Sequence, residues 1–201
     1  MNAEMDLLYF DNAATSWPKP DATPAAMDRY LREIGGSPGR SGHRLSIEAG
    51  RLILEAREAV ARLLGSDDPF RIVFTKNATE ALNIALRGLL NPGDHVITSS
   101  MEHNSVMRPL RAMEAEGVAV SVIPCSVRGE LDPADIRPAI RPDTRAIILT
   151  HASNVTGTIL PIAEAGRISR ERGLTLIVDA AQTAGALPIA VEEMGIDLLA
   201  F

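Results

Sequence analysis

Residues 146–179 read AIILTHASNVTGTILPIAEAGRISRERGLTLIVD and contain the unit from which the fold can be derived. An apolar, β-branched run predicts one strand at Ala146–Thr150 and another at Thr175–Asp179. The residues between them include a helix candidate at 161–172. A strand, a helix and a second strand in this order indicate two parallel strands of one sheet.

The same alternation of strands and helices extends outward from this unit. Further strands are predicted at Arg71–Thr75, His95–Ser99, Val118–Ile123 and Asp197–Phe201, and further helices at residues 77–90, 104–116 and 132–139. Strands of continuous apolar character are typical of a mainly parallel sheet buried on both faces. The expectation is therefore an α/β fold of three layers with helices on both faces, truncated at its C-terminus.

The N-terminal part of the chain differs from this pattern. Two helices are predicted, at residues 22–34 and 46–64, and the glycine- and proline-rich segment 35–42 separates them. We therefore expect residues 1–45 to form an N-terminal arm with the first helix, and residues 46–201 to form the large α/β domain.

Composition excludes several functional classes. The net charge of −6 gives no electrostatic reason to expect nucleic acid or an anionic membrane as a partner. The apolar runs are too short to cross a bilayer. Cys125 is the single cysteine, which excludes an internal disulfide framework and fits a reducing compartment. A soluble, cytoplasmic protein is expected.

Polar segments follow four of the predicted strands. Ligands of open α/β sheets bind at the carboxyl ends of the strands, so these segments are candidates for a site. They are Thr75–Glu80, Ser99–Asn104, Thr150–Thr158 and Asp179–Gln182. The first leads into a helix N-terminus, whose free N–H groups favour anions, although capping by Thr75 or Asn77 explains it equally well. Four such segments at one edge indicate a ligand site.

An acid at the end of an apolar strand, such as Asp179, is costly to bury without a cation. A protonated pyridine nitrogen is one such cation. At this point the residues resemble a known group, the class V aminotransferase-like proteins of fold type I, which use pyridoxal 5'-phosphate (PLP). The matching motifs are Asp11–Thr15, Asn77–Ala81, Glu102–Asn104, His151–Thr158 and Asp179–Gln182. Within that group the chain resembles the cysteine desulfurase and selenocysteine lyase branch over essentially its whole length.

The resemblance implies a role in PLP binding for four of these residues. The backbone N–H groups of Ala78 and Thr79, with the Thr79 hydroxyl, hold the phosphate. His103 stacks on the pyridine ring and takes part in proton transfer, which makes it the catalytic candidate. Asp179 pairs with the ring nitrogen and keeps it protonated, which preserves the electron sink of the cofactor.

The resemblance also implies contacts to the cofactor oxygen and to the substrate. Gln182 hydrogen-bonds the phenolic oxygen of PLP, and Asn154 lies near that oxygen and the substrate carboxylate. Asn12 and His43 belong to the wall of the active site or to a subunit contact. No metal is implied.

The resemblance breaks where the family places its Schiff-base lysine, just after the strand predicted at the end of the chain. The only lysines are Lys19 and Lys76, and Lys76 is expected to be solvated or to contact the phosphate. The arginine for the substrate carboxylate and the sulfur-accepting cysteine are also missing, and Cys125 is interpreted as a buried structural thiol. The 201-residue chain alone is therefore expected to be inactive.

Three functional interpretations stay open at this point. The first is the N-terminal part of a PLP-dependent desulfurase that takes sulfur or selenium from cysteine or selenocysteine, delivers it to an acceptor protein and works as a homodimer. The second keeps the cofactor but changes the reaction to that of an aminotransferase, an epimerase or a kynureninase-like enzyme, since the motifs hold the cofactor without choosing the reaction. The third is a non-catalytic, truncated binding module.

Overall fold

A computed structural model describes residues 8–201 and divides the chain into two compact units. The first unit ends at Glu58, and the second comprises Ala59–Phe201. The division falls inside the long helix α2 (Arg44–Leu64). The domain boundary predicted between residues 45 and 46 lies at the other end of that helix and stays a prediction.

The first unit is helical. It contains α1 (Ala22–Arg29), which continues into a π-helical turn at Tyr30–Ile34, and the start of α2. Gly35 ends the π-helical turn with a left-handed backbone (φ 53°), a conformation that glycine adopts without a Cβ clash. The helix predicted at residues 22–34 is therefore one continuous helix, α-helical in its first part and π-helical in its second. The second helix begins two residues earlier than predicted.

The second unit is built on a five-stranded parallel sheet. The strands are β1 (His95–Ser99), β2 (Ala119–Ile123), β3 (Thr144–Thr150), β4 (Thr175–Asp179) and β5 (Leu198–Ala200). Their order across the sheet is β2-β1-β3-β4-β5, and every neighbouring pair is parallel. The prediction of a parallel sheet is confirmed, with β3 and β4 side by side near its centre.

Helices cover the sheet and connect its strands. They are α3 (Ala78–Leu89), α4 (Asn104–Ala115), α5 (Ile136–Ala139), α6 (Ile162–Arg172) and α7 (Val191–Met194), with 3-10 turns at Pro69–Arg71 and Pro133–Asp135. The helix predicted at 132–139 is split between a 3-10 turn and α5. Asp132 caps that turn by accepting a hydrogen bond from the Ala134 N–H at 2.8 Å.

Two separate hydrophobic cores lie on the two faces of the sheet. Along β3, Ile147 and Leu149 belong to one core, whereas Ala146 and Ile148 belong to the other. The first core also holds buried residues of α5 and α6, and the second holds those of α3 and α4. Because side chains alternate along a strand, the middle of β3, residues 146–149, is apolar at every position, and the three-layer architecture is confirmed.

The strand predicted at Arg71–Thr75 is wrong. Arg71 closes a 3-10 turn, and Ile72 is extended, with φ −83° and ψ 119°. Within residues 8–201 no strand pairs with this segment. An open cavity of about 210 Å³ is lined by residues of this segment, including Phe74, and by residues of β5, including Leu199. The apolar pattern marks an extended segment, but a strand also requires a neighbour to supply its hydrogen bonds.

Gly166 allows α6 to pass close to the end of α7, because glycine has no Cβ. A Cβ on residue 166 would overlap the carbonyl oxygen of Met194 and lie 2.9 Å from its carbonyl carbon. Because both contacts are backbone atoms, Gly166→Ala is expected to lower the free energy of unfolding by about 1–3 kcal/mol. Urea unfolding followed by circular dichroism measures this loss.

Gly88→Ala is the matched control, since Gly88 is an exposed glycine of α3 and a Cβ at this position would have no atom within 4 Å. This variant is expected to gain about 0.5–1 kcal/mol, the difference in helix propensity between the two residues. Equal stabilities of the two variants would contradict the close approach of α6 and α7.

Candidate functional site

A small cavity opens at the carboxyl ends of β3 and β4. Its volume is about 140 Å³. The residues that line it are Ala78, Thr79, His103, Ser105, Thr150, Ala152, Asn154, Asp179, Ala181 and Gln182. Six of these were predicted site residues, drawn from four separate segments of the chain. The parallel sheet brings the segments after β1, β3 and β4 to one edge, and the N-terminus of α3 lies there as well although no strand of residues 8–201 precedes it.

The N-terminus of α3 forms one wall of this cavity. Asn77 caps the helix, accepting a hydrogen bond from the Glu80 N–H at 2.9 Å, and Glu80 in turn accepts one from the Lys76 N–H at 2.7 Å. No acceptor in residues 8–201 takes the N–H groups of Ala78 and Thr79. Capping and anion binding are therefore compatible here, because they use different N–H groups of the same first turn.

His103 forms a second wall and is held by the helix that it precedes. Its Nδ1 accepts the Ser105 N–H at 3.1 Å and lies 2.8 Å from Ser105 Oγ, so that His103 caps α4. An Nδ1 that accepts a backbone N–H places the ring hydrogen on Nε2. The ring is thereby fixed in orientation while it lines the cavity, which combines the structural and the functional interpretations of this residue.

Asp179 lies at the floor, as the last residue of β4, and is 4% exposed. One carboxylate oxygen accepts the Ala181 N–H at 3.0 Å, and the other lies 3.5 Å from Ser105 Oγ. No arginine or lysine among residues 8–201 forms an ion pair with this carboxylate. A buried acid whose neighbours are a backbone N–H and a neutral hydroxyl retains the capacity to bind a cationic group in the cavity.

Asn154 and Gln182 reach the cavity from two loops. The loop after β3 closes on itself through hydrogen bonds from Ser153 N–H to the Thr158 carbonyl and from Gly157 N–H to the Ser153 carbonyl, both 3.0 Å. Gln182 lies in the turn after β4, between Asp179 and Thr183. Both side chains are amides, which can accept or donate a hydrogen bond to a polar ligand.

His151 supports this turn and was not predicted as a site residue. Its Nδ1 lies 2.9 Å from the Thr183 hydroxyl, and its backbone N–H donates to the Asp179 carbonyl at 2.8 Å. Burial lowers the pKa of the His151 ring, which favours the neutral form beside a hydroxyl. The turn that carries Gln182 is therefore anchored to the end of β3.

Glu102 is the second residue that sequence reasoning missed. Its Oε1 accepts the Ser99 hydroxyl at 2.6 Å and the Thr150 N–H at 3.0 Å. Its Oε2 is buried without a hydrogen-bond partner in the described part of the chain. Burial raises the pKa of Glu102 to about 8, with a smaller contribution from the charge of Asp179. The available signal was an acid three residues after the end of a buried strand, a weaker form of the signal at Asp179, which is the last residue of its strand.

Four other residues singled out from the sequence lie elsewhere. Asn12 and His43 belong to the first unit, where each accepts a local backbone N–H, of Trp17 at 3.0 Å and of Ser46 at 3.2 Å. Their roles at the active site stay predictions. Lys76 is exposed and lies 3.8 Å from Glu80, in agreement with the expectation of a solvated lysine. Cys125 is partly rather than fully buried against the core.

Neither a membrane span nor a metal cluster is found in the described part of the chain. Among residues 8–201 no helix is both long and apolar enough to span a membrane. The same residues contain no cluster of three histidine, cysteine or acidic side chains that could bind a metal ion.

Sequence comparison gives relatives over nearly the whole chain. The cysteine desulfurase IscS of Dictyoglomus turgidum is 38% identical over 196 residues, which are 96% of this chain and 49% of the relative. A probable cysteine desulfurase of Methanothermobacter thermautotrophicus is 38% identical over 197 residues, 98% of this chain and 49% of the relative. The chain thus spans about half the length of the relatives it matches.

Solved structures also match nearly the whole of this chain and about half of their own chains. A structure described as SspA in complex with cysteine has a TM-score of 0.88 and 33% identity, over 95% of this chain and 55% of that one. The apo cysteine desulfurase of Thermococcus onnurineus has a TM-score of 0.88 and 34% identity, over 96% of this chain and 48% of that one. Residues 8–201 match the family described as aminotransferase class-V, and the chain therefore belongs to that family.

Proposed function

We propose that the chain is the N-terminal, cofactor-binding part of a PLP-dependent enzyme that removes sulfur or selenium from cysteine or selenocysteine and leaves alanine. The observation that carries the proposal is the cavity at the ends of β3 and β4, where residues 78, 79, 103, 154, 179 and 182 meet. The relatives named above, which are cysteine desulfurases, support cysteine as the substrate.

The donors and acceptors of the cavity fit the polar groups of PLP. The phosphate fits the free N–H groups of Ala78 and Thr79, where the helix dipole adds to the hydrogen bonds. The protonated pyridine nitrogen fits the buried carboxylate of Asp179, and the phenolic oxygen fits the amides of Asn154 and Gln182. When bound, PLP supplies an electron sink for negative charge that develops on the substrate Cα.

The protein residues then bind, orient and exchange protons. Asp179, at the floor, retains the ring-nitrogen proton, because a buried carboxylate favours a cation beside it. His103 offers Nε2–H at the cavity wall, and its Nδ1 contact with α4 fixes the plane of the ring. Asn154 is exposed on its loop and lines the cavity, and it is assigned the contact with the substrate carboxylate.

The remaining functions belong, in this proposal, to the part of the protein that corresponds to the other half of the relatives. Lys76 is not proposed as the cofactor-bearing lysine, because it is exposed, lies 3.8 Å from Glu80 and does not line the cavity. We therefore assign the cofactor-bearing lysine, the carboxylate-binding arginine and the sulfur-accepting cysteine to that other half. The whole protein is proposed to be a cytoplasmic homodimer that passes sulfur to an acceptor protein.

Binding of PLP to this chain tests the cofactor proposal. Removal of the Asp179 charge by Asp179→Asn leaves the ring nitrogen without its anionic partner, so affinity is expected to fall about tenfold or more, in line with a lost hydrogen bond to a charged group. Absorbance titration with PLP gives the dissociation constants. Asp135→Asn, at an exposed carboxylate outside the cavity, is the control and is expected to bind as the wild type does. Equal affinities of all three proteins would argue against the assignment of Asp179.

The reaction itself is tested on the whole protein, loaded with PLP and supplied with cysteine and a thiol reductant. Sulfide and alanine are expected in equal amounts, with loss of both in a His103→Gln variant that retains PLP. Release of a keto acid instead would support the aminotransferase alternative. PLP binding without turnover of any amino acid would support the non-catalytic alternative.

A further inference from the structure

The carboxyl group of Glu102 lies beside the cavity but has no role in the function proposed above. Part of the residue is exposed, but Oε2 is buried and has no partner among residues 8–201. An ionised carboxylate at such a position would leave buried charge uncompensated, which is among the most costly arrangements in a protein. The protonation state of Glu102 therefore decides whether this arrangement is stable.

We propose that Glu102 is a positioning residue that remains protonated and so leaves Asp179 as the single buried anion at the cofactor end of the sheet. The proposal rests on the assignment of Asp179 to the ring nitrogen. It deepens the proposed function by naming the residue that determines how much negative charge faces that nitrogen.

The hydrogen bonds of Glu102 connect two strand ends. Ser99 ends β1 and Thr150 ends β3, and both donate to the same oxygen, Oε1. Two donors on Oε1 and, among residues 8–201, none on Oε2 fit a neutral acid whose carbonyl oxygen is Oε1 and whose proton is on Oε2. Thr150 in turn pairs in register with Asp179 of β4. One residue of β3 thus separates the two carboxyl groups.

The surroundings of Glu102 and Asp179 favour a state in which only one of the two acids is ionised. Glu102 is in contact with the hydroxyl of Ser99 on β1 and the backbone N–H of Thr150 on β3, and it experiences the negative charge of Asp179 on β4. In the described part of the chain no arginine or lysine is paired with either acid. Two carboxyl groups that share an uncompensated site do not both ionise readily.

Asp179 is the better of the two as the charged member. Its carboxylate lines the cavity, where a cationic group can meet it, and one of its oxygens accepts the Ala181 backbone N–H at 3.0 Å. Glu102 has both donors on one oxygen. Burial, reinforced by the charge of Asp179, raises the pKa of Glu102 to about 8, which agrees with a neutral acid at pH 7.

The first test measures protonation in the chain without PLP. The infrared band of a protonated carboxylic acid is expected at pH 7 in the wild type and absent in Glu102→Gln. The free energy of unfolding supplies a second readout. The pKa of Glu102 is higher in the folded than in the unfolded protein. Its contribution to the free energy of unfolding is therefore complete below about pH 4.5 and is lost as the pH rises to about 8. Glu102→Gln, neutral at all pH values, lacks that decline.

The electrostatic effect of Asp179 on Glu102 distinguishes a positioning role of Glu102 from a merely structural one. Asp179→Asn removes the neighbouring charge and is expected to shift the loss of the infrared band to lower pH. Asp135→Asn, far from the pair in sequence and exposed, is expected to leave it unchanged. An unchanged titration in Asp179→Asn, or no acid band at pH 7 in the wild type, would overturn the proposal.

The cofactor gives the last readout. Glu102→Gln preserves an acceptor for Ser99 and Thr150 and is expected to bind PLP at pH 7 as the wild type does, whereas Glu102→Ala leaves both donors unpaired and is expected to lose about tenfold in affinity. Equal losses in both variants would contradict a neutral Glu102. A protonated Glu102 in a chain that does not bind PLP would instead contradict the proposed function alone.

Discussion

The hydrogen-bond ladder between β3 and β4 is the interaction on which the rest of the structure depends. It pairs Ile147 with Leu176 and Ile148 with Ile177, so that neighbouring residues enter opposite cores. The ladder ends with Thr150 opposite Asp179. Because parallel strands end at a common edge, the polar segments that follow β1, β3 and β4 are delivered to one place. Because the middle of the sheet is filled by buried apolar side chains, the polar groups that could bind a ligand lie at the edge where the strands end.

That edge combines structural and functional uses of the same groups. Asn77 and His103 cap helices, and the caps leave two N–H groups of α3 and one nitrogen of the His103 ring available to the cavity. Asp179 and Glu102 place two acids around Thr150 with donors distributed differently between them. Burial of Glu102, with the charge of Asp179 nearby, raises the pKa of Glu102 and is the physical basis for proposing it as a neutral acid.

The sequence supported the fold and much of the site. Apolar strands, amphipathic helices and polar strand ends predicted the sheet and the polar segments at its edge, because these signals are local in the chain, whereas the six cavity residues were implied by the resemblance to class V aminotransferase-like proteins. Arg71–Thr75 shows where this reasoning fails. Its apolar pattern is that of a strand, but within residues 8–201 nothing pairs with it, and pairing is a property of the neighbour. Glu102 and His151 were missed because their partners, Thr150 and Thr183, are distant in sequence.

The sequence by itself determined the layer architecture, the parallel direction of the strands and the chemical types available at their ends, since alternation and apolar content are encoded residue by residue. Tertiary structure alone decided which of those groups come into contact and which are buried. It brought Glu102 to the backbone of Thr150 and near the charge of Asp179 across three strands. The physical reason is that burial and electrostatic coupling depend on distances in space, which the order of residues along a chain does not contain.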